Sequence, residues 1–426
     1  MLGYSVIQMV RRNGQKMDQT LRKELIQFYR PFQSIPCILH KPLETYRKKM
    51  KTFPILIEFN PDSYEAGMLD VRNSRCKSYQ EFPTISCCSA HMSLESIEGL
   101  LESCSTIKKV YYDRKVTTLL DVATPSVNSH QLHQSGYTGV GKTIAVIDTG
   151  IYPHEDLQGR ISGFVDFVSN KQEPYDDNGH GTHCAGNAAG NGMLSSKSYV
   201  GPAPESKLVG VKVLNKMGSG SLSTVIAGIE WCIQNKSKYG IDIISLSLGS
   251  DAVESAHDDP VVKAVEKAWD NGIVVCVAAG NSGPSNETIA SPGISPKVIT
   301  VGATDDNGTP DRSDDSIADF SSRGPTIDGI MKPDLVTPGV NIISLRAPGS
   351  FLDKTNKSAR VNANYISLSG TSMATPICAG IVAQLLQKEP DLLPSQVKQK
   401  LIEACSTLGQ PSRLEGNGYL NAENLL

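Results

Sequence analysis

The sequence predicts an α/β fold with a doubly wound, mostly parallel sheet flanked by helices, preceded by a small α+β domain. Short apolar runs, typical of buried strands, recur in the later part of the chain, at residues 143–147, 208–213, 241–248, 273–278 and 298–301. Helical patterns separate them, at residues 222–234, 260–271 and 377–388. Strands that are apolar on both faces and alternate with helices indicate a parallel sheet covered on both sides. The reactive groups of such a sheet gather at the carboxyl ends of its strands.

The chain opens with a basic extension, predicted to span residues 1–50. Leu21, Leu25 and Phe28 follow one another at the spacing of an amphipathic helix. Lys and Arg outnumber Asp and Glu in this segment. A solvated charged face is favoured over a binding patch as the explanation.

A small α+β domain is predicted at residues 51–118. Residues 53–59 and 107–112 have the composition of strands, and Ser93 begins a helix with a cap and early acidic residues. The remaining residues, 119–426, form the predicted α/β domain.

Composition and charge argue against several kinds of partner. The 426 residues carry a formal net charge of −3, so neither nucleic acid nor an anionic membrane is expected to bind the chain. No apolar run reaches the ~20 residues that span a bilayer, and the first residues lack the segment order of a signal peptide. The ten cysteines show no framework spacing. Free thiols in a reducing compartment, and hence a cytoplasmic location, are therefore expected.

A serine in the segment Gly370-Thr371-Ser372-Met373-Ala374-Thr375-Pro376 lies just before an apolar helical run. At a helix N-terminus, backbone N–H groups would surround its hydroxyl. Pro376 suits a position near the helix start, where its missing N–H costs nothing. An N-cap without chemistry explains the same residues. A nucleophilic serine also needs a base, a group that orients the base, and an oxyanion hole.

Asp148 and His180 are the candidates for the orienting group and the base. Asp148 ends an apolar run, and a carboxylate at the tip of a strand can orient a histidine, although an Asx turn is the simpler explanation of Asp148 alone. His180 lies between two glycines at a predicted helix start. His183 shares its helix face, which hints at a metal site, but no third ligand is evident. We therefore expect His183 to be a structural, hydrogen-bonded histidine.

Asn281 follows another apolar run, where its amide could donate to an oxyanion together with the N–H of Ser372. Taken alone, Asn281-Ser282-Gly283 is more simply explained as a turn. Residues 216–221 and 247–249 are poor in large side chains. They are either ordinary loops or edges that pair with an extended peptide.

Taken together and in this order, these segments resemble the subtilisin-like serine proteases, the subtilase family. The matching segments are residues 145–150 (AVIDTG), 179–186 (GHGTHCAG), 245–249 (SLSLG), 278–281 (AAGN) and 370–376 (GTSMATP). The resemblance extends from about residue 135 to the end of the chain. The order Asp, His, Ser is the one known for subtilisin.

The resemblance implies a role for each matching residue. Asp148 would orient the base, His180 would act as general base and then acid, Ser372 would be the nucleophile, and Asn281 would donate to the oxyanion. The residues implied to pair with the substrate backbone are Gly218, Ser219, Gly220, Ser247, Leu248 and Gly249. Those implied to wall the pocket for the side chain before the scissile bond (P1) are Ala278, Ala279, Gly280 and Ala290. Such small residues would admit a large apolar or aromatic side chain.

Three further expectations follow from the resemblance. The region before the α/β domain resembles an inhibitory propeptide, which would be removed autocatalytically by a cut between about residues 112 and 121. The chemistry needs no cofactor. Structural calcium is possible, because Asp156 matches one family ligand, although the loop at residues 190–201 does not match the usual ligand loop. Cys184, beside the two histidines, predicts sensitivity to mercurials.

Alternative functions are distinguished by specific residues. A catalytically silent binding relative would lack a triad or oxyanion residue, and none is missing. A hydrolase with a Gly-x-Ser-x-Gly elbow would place its serine before Asp and His, whereas Ser372 comes last. A broad endopeptidase that acts on protein or peptide substrates, including its own propeptide, and a processing protease with few targets both fit the sequence.

Overall fold

The computed structural model describes residues 5–27, 40–74, 76–113, 115–118, 126–307 and 312–426. The chain divides into two compact units, Met1–Arg114 and Lys115–Leu426. We refer to them as the N-terminal unit and the C-terminal unit.

The N-terminal unit combines helices with an antiparallel sheet. Its elements are α1 (Ser5–Arg12), α2 (Gln19–Gln27), α3 (His40–Met50), β1 (Thr52–Phe59), α4 (Tyr64–Asn73), β2 (Cys76–Phe82), β3 (Cys87–Ser93), α5 (Leu94–Ser103) and β4 (Ile107–Tyr112). The strands lie in the order β2-β3-β1-β4, and each neighbouring pair is antiparallel.

The predicted basic extension shares its core with the strands that follow it. Leu21 and Leu25 of α2 are buried in the same apolar cluster as Ile55 and Val110, as the helical spacing predicted, whereas Phe28 lies outside the described residues. The structure thus packs residues from two predicted segments, 1–50 and 51–118, into one unit. Burial of apolar side chains holds the two segments together. The surplus of basic residues made this shared core hard to recognise in the sequence.

Basic side chains of the extension are matched by acidic residues on α5. Lys48 Nζ lies 2.6 Å from Glu98 Oε2, and Lys49 Nζ lies 3.7 Å from Glu95 Oε1. The Lys49–Glu95 pair is exposed and contributes little stability, whereas the Lys48–Glu98 pair is partly buried. Together the two pairs place the end of α3 against the acidic residues of α5 in the same unit.

The C-terminal unit contains the predicted α/β domain. Its strands are β5 (Lys115–Thr118), β6 (Thr143–Asp148), β7 (Ile161–Asp166), β8 (Lys207–Lys212), β9 (Ser219–Ser221), β10 (Ile241–Leu246), β11 (Leu248–Gly249), β12 (Val274–Ala278), β13 (Ile299–Asp305), β14 (Ser316–Ile317), β15 (Leu335–Pro338), β16 (Ile342–Leu345), β17 (Tyr365–Leu368), β18 (Cys405–Ser406) and β19 (Tyr419–Leu420). Its helices are α6 (Ser129–Gln134), α7 (His180–Ala189), α8 (Leu222–Gln234), α9 (Lys236–Tyr239), α10 (Pro260–Asp270), α11 (Phe351–Thr355), α12 (Thr371–Lys388), α13 (Pro394–Glu403) and α14 (Ser412–Glu415).

A mostly parallel sheet forms the centre of this unit, which confirms the predicted fold class. The strand order is β18-β19-β15-β13-β12-β10-β6-β8-β7, and β14 pairs with β13. The pairs from β7 through β6, β10 and β12 to β19 are parallel, while β14 and β18 are antiparallel to their partners. Every residue of β6 and β12 is buried, as expected of strands covered on both faces.

The sheet brings distant residues together at the carboxyl ends of its central strands. β6 ends at Asp148, and its neighbour β10 ends one residue before Ser247. Helix α12, buried from Thr371 to Leu386, packs against β10 and β12. Among the described residues, no helix is both long and apolar enough to traverse a bilayer.

Candidate active site

Asp148 and His180 form a buried hydrogen-bonded pair. His180 Nδ1 donates to Asp148 Oδ1 at 2.8 Å and to Oδ2 at 2.9 Å. An ionised carboxylate only accepts hydrogen bonds, so Nδ1 carries the proton, and in the neutral ring Nε2 is left as the acceptor. Both side chains are completely buried. This tautomer is the one that a general base requires.

The carboxylate also sets the charge of the histidine. Burial by itself lowers the pKa of His180, but the neighbouring Asp148 carboxylate outweighs burial and holds that pKa well above its usual value. An opposite charge within hydrogen-bond distance favours the protonated imidazolium. The pair is therefore suited to accept a proton during a reaction.

Close approach of α7 to β6 explains the glycines around His180. A Cβ on Gly181 would lie 2.2 Å from Gly150 O and 3.1 Å from Asp148 Cβ. Gly179 has φ 104°, in the left-handed region that favours glycine. These two glycines let the first turn of α7 lie directly against the tip of the strand.

Asp176 is a positioning residue that the sequence analysis did not identify. Its Oδ1 accepts hydrogen bonds from Thr149 Oγ1 at 2.9 Å and Gly179 N at 2.8 Å. Its Oδ2 accepts from Thr182 N at 2.9 Å and Thr182 Oγ1 at 2.7 Å. Asp176 thus ties the start of α7 to the residue after Asp148. An acidic residue just before a helix start is the signal that could have revealed it.

Ser372 is the second residue of α12 and is held next to Ser247. Its hydroxyl donates to Ser247 O at 3.1 Å, and Ser247 Oγ donates back to Ser372 O at 2.8 Å. The predicted position at a helix start is therefore observed. The paired bonds join the end of the β10 segment to the first turn of α12.

The sequence suggested that Pro376 lies near the helix start. In the structure it lies inside α12. In an α-helix its missing N–H would have bonded to the carbonyl four residues earlier, which is that of Ser372. Instead, the Ser372 carbonyl accepts from Ser247 Oγ and from Cys184 Sγ, the latter at 3.5 Å. The proline therefore frees a backbone group that connects the helix to its neighbours.

Asn281 is oriented by the residue before the serine. Its Oδ1 accepts from Thr371 N at 2.9 Å and from Thr371 Oγ1 at 3.0 Å. Since these donors fix the amide oxygen, the two N–H groups of the amide remain for another acceptor. Asn281 and Ser372 lie on segments joined by these bonds.

Strand β5 pairs with two of the segments predicted to bind a peptide. Thr117 lies opposite Ser219 of β9 and Gly249 of β11, and Thr118 lies opposite Leu248. Gly220 of β9 pairs with Val116. Both pairings are antiparallel, so an extended piece of this chain lies between the two edges.

The other predicted lining residues occupy neighbouring positions. Gly218 forms the turn before β9 with φ 71°, and Ser247 bonds to Ser372 as described above. Ala278 ends β12, and Ala290 N donates to Ala279 O at 2.8 Å. Ala279 belongs to a buried apolar cluster, and a Cβ on Gly280 would lie 3.0 Å from Ala290 Cβ. The segments 278–280 and 290 are thus adjacent.

His183 is a structural histidine, as predicted. Its Nε2 donates to Ile342 O at 3.1 Å and to Ile366 O at 3.2 Å. Burial lowers its pKa to about 3, so it stays neutral. Because this nitrogen is engaged with two carbonyls, His183 does not form a metal pair with His180.

Asp156, the residue that matches a calcium ligand, is surrounded by protein donors. Its Oδ1 accepts from Leu194 N at 2.9 Å, and its Oδ2 accepts from the Tyr365 hydroxyl at 2.6 Å. Calcium needs six to eight oxygen ligands that face the ion. The residues around Asp156 present donors to the carboxylate and do not fit that requirement.

Cys184 lies against the histidine of the pair. Its Sγ is 3.7 Å from His180 Nδ1, and burial raises the pKa of the thiol to about 11. The ligand atoms of Asp148, His180 and Cys184 lie within 4.8 Å of one another. The hydrogen bonds already join His180 to the carboxylate, so their arrangement is that of an acid–base pair with a thiol beside it.

A mercurial is expected to inactivate the enzyme through Cys184, because a mercury atom on Sγ would displace the adjacent His180 ring. The measurement is residual peptidase activity after treatment with p-chloromercuribenzoate, in the unmodified enzyme and in Cys184→Ala. Cys232→Ala, which removes another buried thiol, serves as the matched control and should remain sensitive. Equal loss of activity in Cys184→Ala and in the unmodified enzyme would contradict this assignment.

Comparison with known proteins identifies the family of the chain. The model of the subtilase family matches residues 139–419. The chain is 53% identical over 437 residues to serine protease AprX of Bacillus subtilis (strain 168), covering 100% of this chain and 99% of that protein.

Shorter matches cover the later part of the chain. A thermostable alkaline protease of Halalkalibacterium halodurans is 38% identical over 296 residues, which are 70% of this chain and 70% of that protein. Subtilisin DY of Bacillus licheniformis is 37% identical over 302 residues, which are 70% of this chain and 96% of that protein. With the family model matching well over half of its residues, the chain belongs to the subtilase family of serine proteases.

Proposed function

We propose that the chain is an endopeptidase that cuts peptide bonds through an acyl-enzyme formed on Ser372. Ser372 Oγ attacks the scissile carbonyl carbon, and its proton passes to His180 Nε2. His180 then gives that proton to the leaving amine as the peptide bond breaks. A water molecule, activated in the same way, releases the acyl group. Asp148 holds the required tautomer and stabilises the imidazolium.

In this proposal, Asn281 stabilises the oxyanion. Its carbonyl oxygen is fixed by Thr371, which supports an amide group free to donate to the developing charge together with Ser372 N. A single donor of this kind contributes about 3–4 kcal/mol of transition-state stabilisation, a value that comes from the corresponding asparagine of a subtilisin. No cofactor enters any step.

The observation that carries the proposal is the position of β5 between β9 and β11. The chain's own strand makes the antiparallel pairs that an extended substrate would make, beside Ser247 and therefore beside Ser372. Main-chain pairing gives affinity without regard to sequence. We propose that other protein and peptide substrates bind along Gly218–Gly220 and Ser247–Gly249 in the same way.

We further propose that the N-terminal unit is a propeptide that the enzyme removes from itself. β5 is continuous in sequence with that unit and is paired in the substrate groove. The last pair between β5 and β11 joins Thr118 to Leu248, the residue after Ser247, and the residue after Thr118 in the sequence is Leu119. The proposed scissile bond is therefore Leu119–Leu120, within the range expected from the sequence.

A leucine before the scissile bond agrees with the proposed P1 preference. The residues proposed to wall the pocket, Ala278, Gly280 and Ala290, have small side chains, which supports a preference for large apolar or aromatic residues. Burying an apolar side chain of this size stabilises a complex by about 1.5–3 kcal/mol. This is enough to favour it over a charged side chain by one to two orders of magnitude in kcat/KM.

Mass spectrometry of the purified enzyme tests the processing site. We expect the mature N-terminus at Leu120, with Leu119→Phe processed normally and Leu119→Asp processed at least tenfold more slowly. Leu120→Asp, which places the same charge after the scissile bond, is the matched control for the P1 pocket. An active enzyme whose N-terminus lies before residue 112, or equal processing of both Leu119 variants, would contradict the proposal.

We also propose a cytoplasmic location. Nine cysteines in the described part of the chain are free thiols, most of them buried. This supports a reducing compartment, in which disulfides do not persist.

A further inference from the structure

The turn that contains Asp156 is held to a distant strand by two side chains. Tyr365, the first residue of β17, donates its hydroxyl proton to Asp156 Oδ2. His154 Nε2 donates to Asn364 O at 3.0 Å, while His154 Nδ1 accepts from Asp156 N at 3.1 Å. Asp156 and Tyr365 are both completely buried. A buried carboxylate must be compensated by donors or by charge.

The loop at residues 190–201 supplies a donor to this carboxylate, and two of its carbonyls accept hydrogen bonds from within the loop. Leu194 N donates to Asp156 Oδ1. Gly190 O accepts from Gly201 N at 2.8 Å, and Gly192 O accepts from Lys197 N at 2.8 Å and Ser195 Oγ at 3.0 Å. A cation would need such carbonyls to face it. In this chain the Gly190 and Gly192 carbonyls instead accept hydrogen bonds that close the loop.

A guanidinium supplies positive charge next to the turn. Arg160 Nη1 donates to Ala189 O at 2.7 Å, and its Nη2 donates to Asp156 O. Burial lowers the pKa of Arg160 to about 10, while the Asp156 carboxylate acts in the opposite direction. The side chain thus remains charged at neutral pH. Its positive charge acts on the Asp156 carboxylate as the charge of a bound cation would.

Aromatic packing fixes Tyr365 in place. Its ring centroid lies 4.9 Å from that of Tyr199 in an edge-to-face arrangement and 6.0 Å from that of His154. The next residue, Ile366, accepts the hydrogen bond from His183 on the helix that carries His180. Strand β17 then leads to Gly370 and Ser372. Tyr365 therefore connects the Asp156 turn to the strand that precedes the nucleophile.

We infer that Asp156, Tyr365, Leu194 and Arg160 form an anchor that replaces a structural calcium ion at this position. The anchor holds the loop at residues 190–201 and the start of β17 with hydrogen bonds and one guanidinium. Its stability accordingly does not depend on calcium. This inference concerns the stability of the C-terminal unit and is independent of the proposed processing and P1 preference.

The test is the melting temperature of the purified enzyme, inhibited with phenylmethylsulfonyl fluoride, in 5 mM EDTA and in 5 mM CaCl2. We expect the two melting temperatures to agree within about 1 °C. Tyr365→Phe should melt about 3–10 °C lower in both solutions, because it leaves a buried carboxylate oxygen without its donor. Hydrogen exchange at residues 191–200 should be faster in this variant.

Tyr175→Phe is the matched control, because the Tyr175 hydroxyl donates to Asp166 Oδ2 at 2.7 Å in another turn of the same unit. It should leave hydrogen exchange at residues 191–200 unchanged. If calcium raises the melting temperature of Asp156→Asn as much as that of the unmodified chain, the ion binds elsewhere, and the inference about the anchor stands. Calcium stabilisation that is present in the unmodified chain and lost in Asp156→Asn would overturn the inference, as would a Tyr365→Phe variant with unchanged melting and exchange.

Discussion

Ser372→Ala is expected to lower kcat for peptide hydrolysis by about 10^6-fold, the order of magnitude found when a subtilisin loses its serine. The same variant should accumulate as the uncut, full-length chain, because the proposed removal of the N-terminal unit uses the same serine. Peptidase assays and the intact mass of the purified protein measure the two effects.

Two controls separate chemistry from folding in this experiment. Ser223→Ala removes a serine hydroxyl near the start of α8 and should be active and processed. Adding active enzyme to the uncut Ser372→Ala chain shows whether the junction can be cut by a second molecule. Normal trimming of Ser372→Ala produced alone in a protease-deficient host would refute self-processing.

Asp148→Asn is expected to lower kcat by about 10^4-fold while leaving the fold intact. An amide in place of the carboxylate can donate to Nδ1, so it stabilises the wrong tautomer of His180. Thr149 N donates to Asp148 Oδ1 at 2.7 Å, and the oxygen of asparagine can still accept this bond. Steady-state kinetics measure the loss, and an unchanged melting temperature shows that the fold is intact.

The pH dependence of the residual activity provides a second readout. The Asp148 carboxylate raises the pKa of His180, and only the neutral ring can act as a base. In the unmodified enzyme kcat/KM should therefore rise with pH through a pKa above the usual histidine value. In Asp148→Asn this rise of kcat/KM, the acidic limb of the pH profile, should move to lower pH, because the charge that favours the imidazolium is gone. A limb at the same pH in both enzymes would contradict the assignment of His180 as the base held by Asp148.

The parallel sheet was predictable because its strands are apolar on both faces. The run at residues 143–147 corresponds to β6, and the helical pattern at residues 222–234 has the bounds of α8. The separations along the chain made the site unpredictable from local pattern alone. The sheet places β10 beside β6, and so brings the end of β6 at Asp148 next to the segment at Ser247 that bonds to Ser372. The family resemblance supplied what local pattern did not.

Features that depend on tertiary partners were not predicted. Pro376 was expected near the helix start but lies inside α12. The sequence does not reveal that Ser247 Oγ donates to Ser372 O, in place of the N–H that Pro376 lacks. Asp176 was overlooked because its donors, Thr149 and Thr182, become neighbours only in the folded chain. The hydroxyl of Tyr365 likewise reaches Asp156 across 209 positions of sequence.

The N-terminal unit shows how composition can conceal a core. Its first residues are rich in Lys and Arg, yet Leu21 and Leu25 are buried and Lys48 pairs with Glu98. Apolar spacing identified the helix correctly. The partner of Lys48, Glu98 on α5, could not be found without the fold. A pattern of charges along the sequence does not show which acidic residue will lie beside a given lysine.

The central claim is that Ser372 is the nucleophile and that Asp148 and His180 activate it. Labelling of the active, processed enzyme with a fluorophosphonate, followed by peptide mapping, tests this claim most directly. We predict one adduct per chain, located on Ser372, with labelling at least a thousandfold slower in His180→Ala. An active enzyme that is not labelled, or whose adduct maps to another residue, would contradict it.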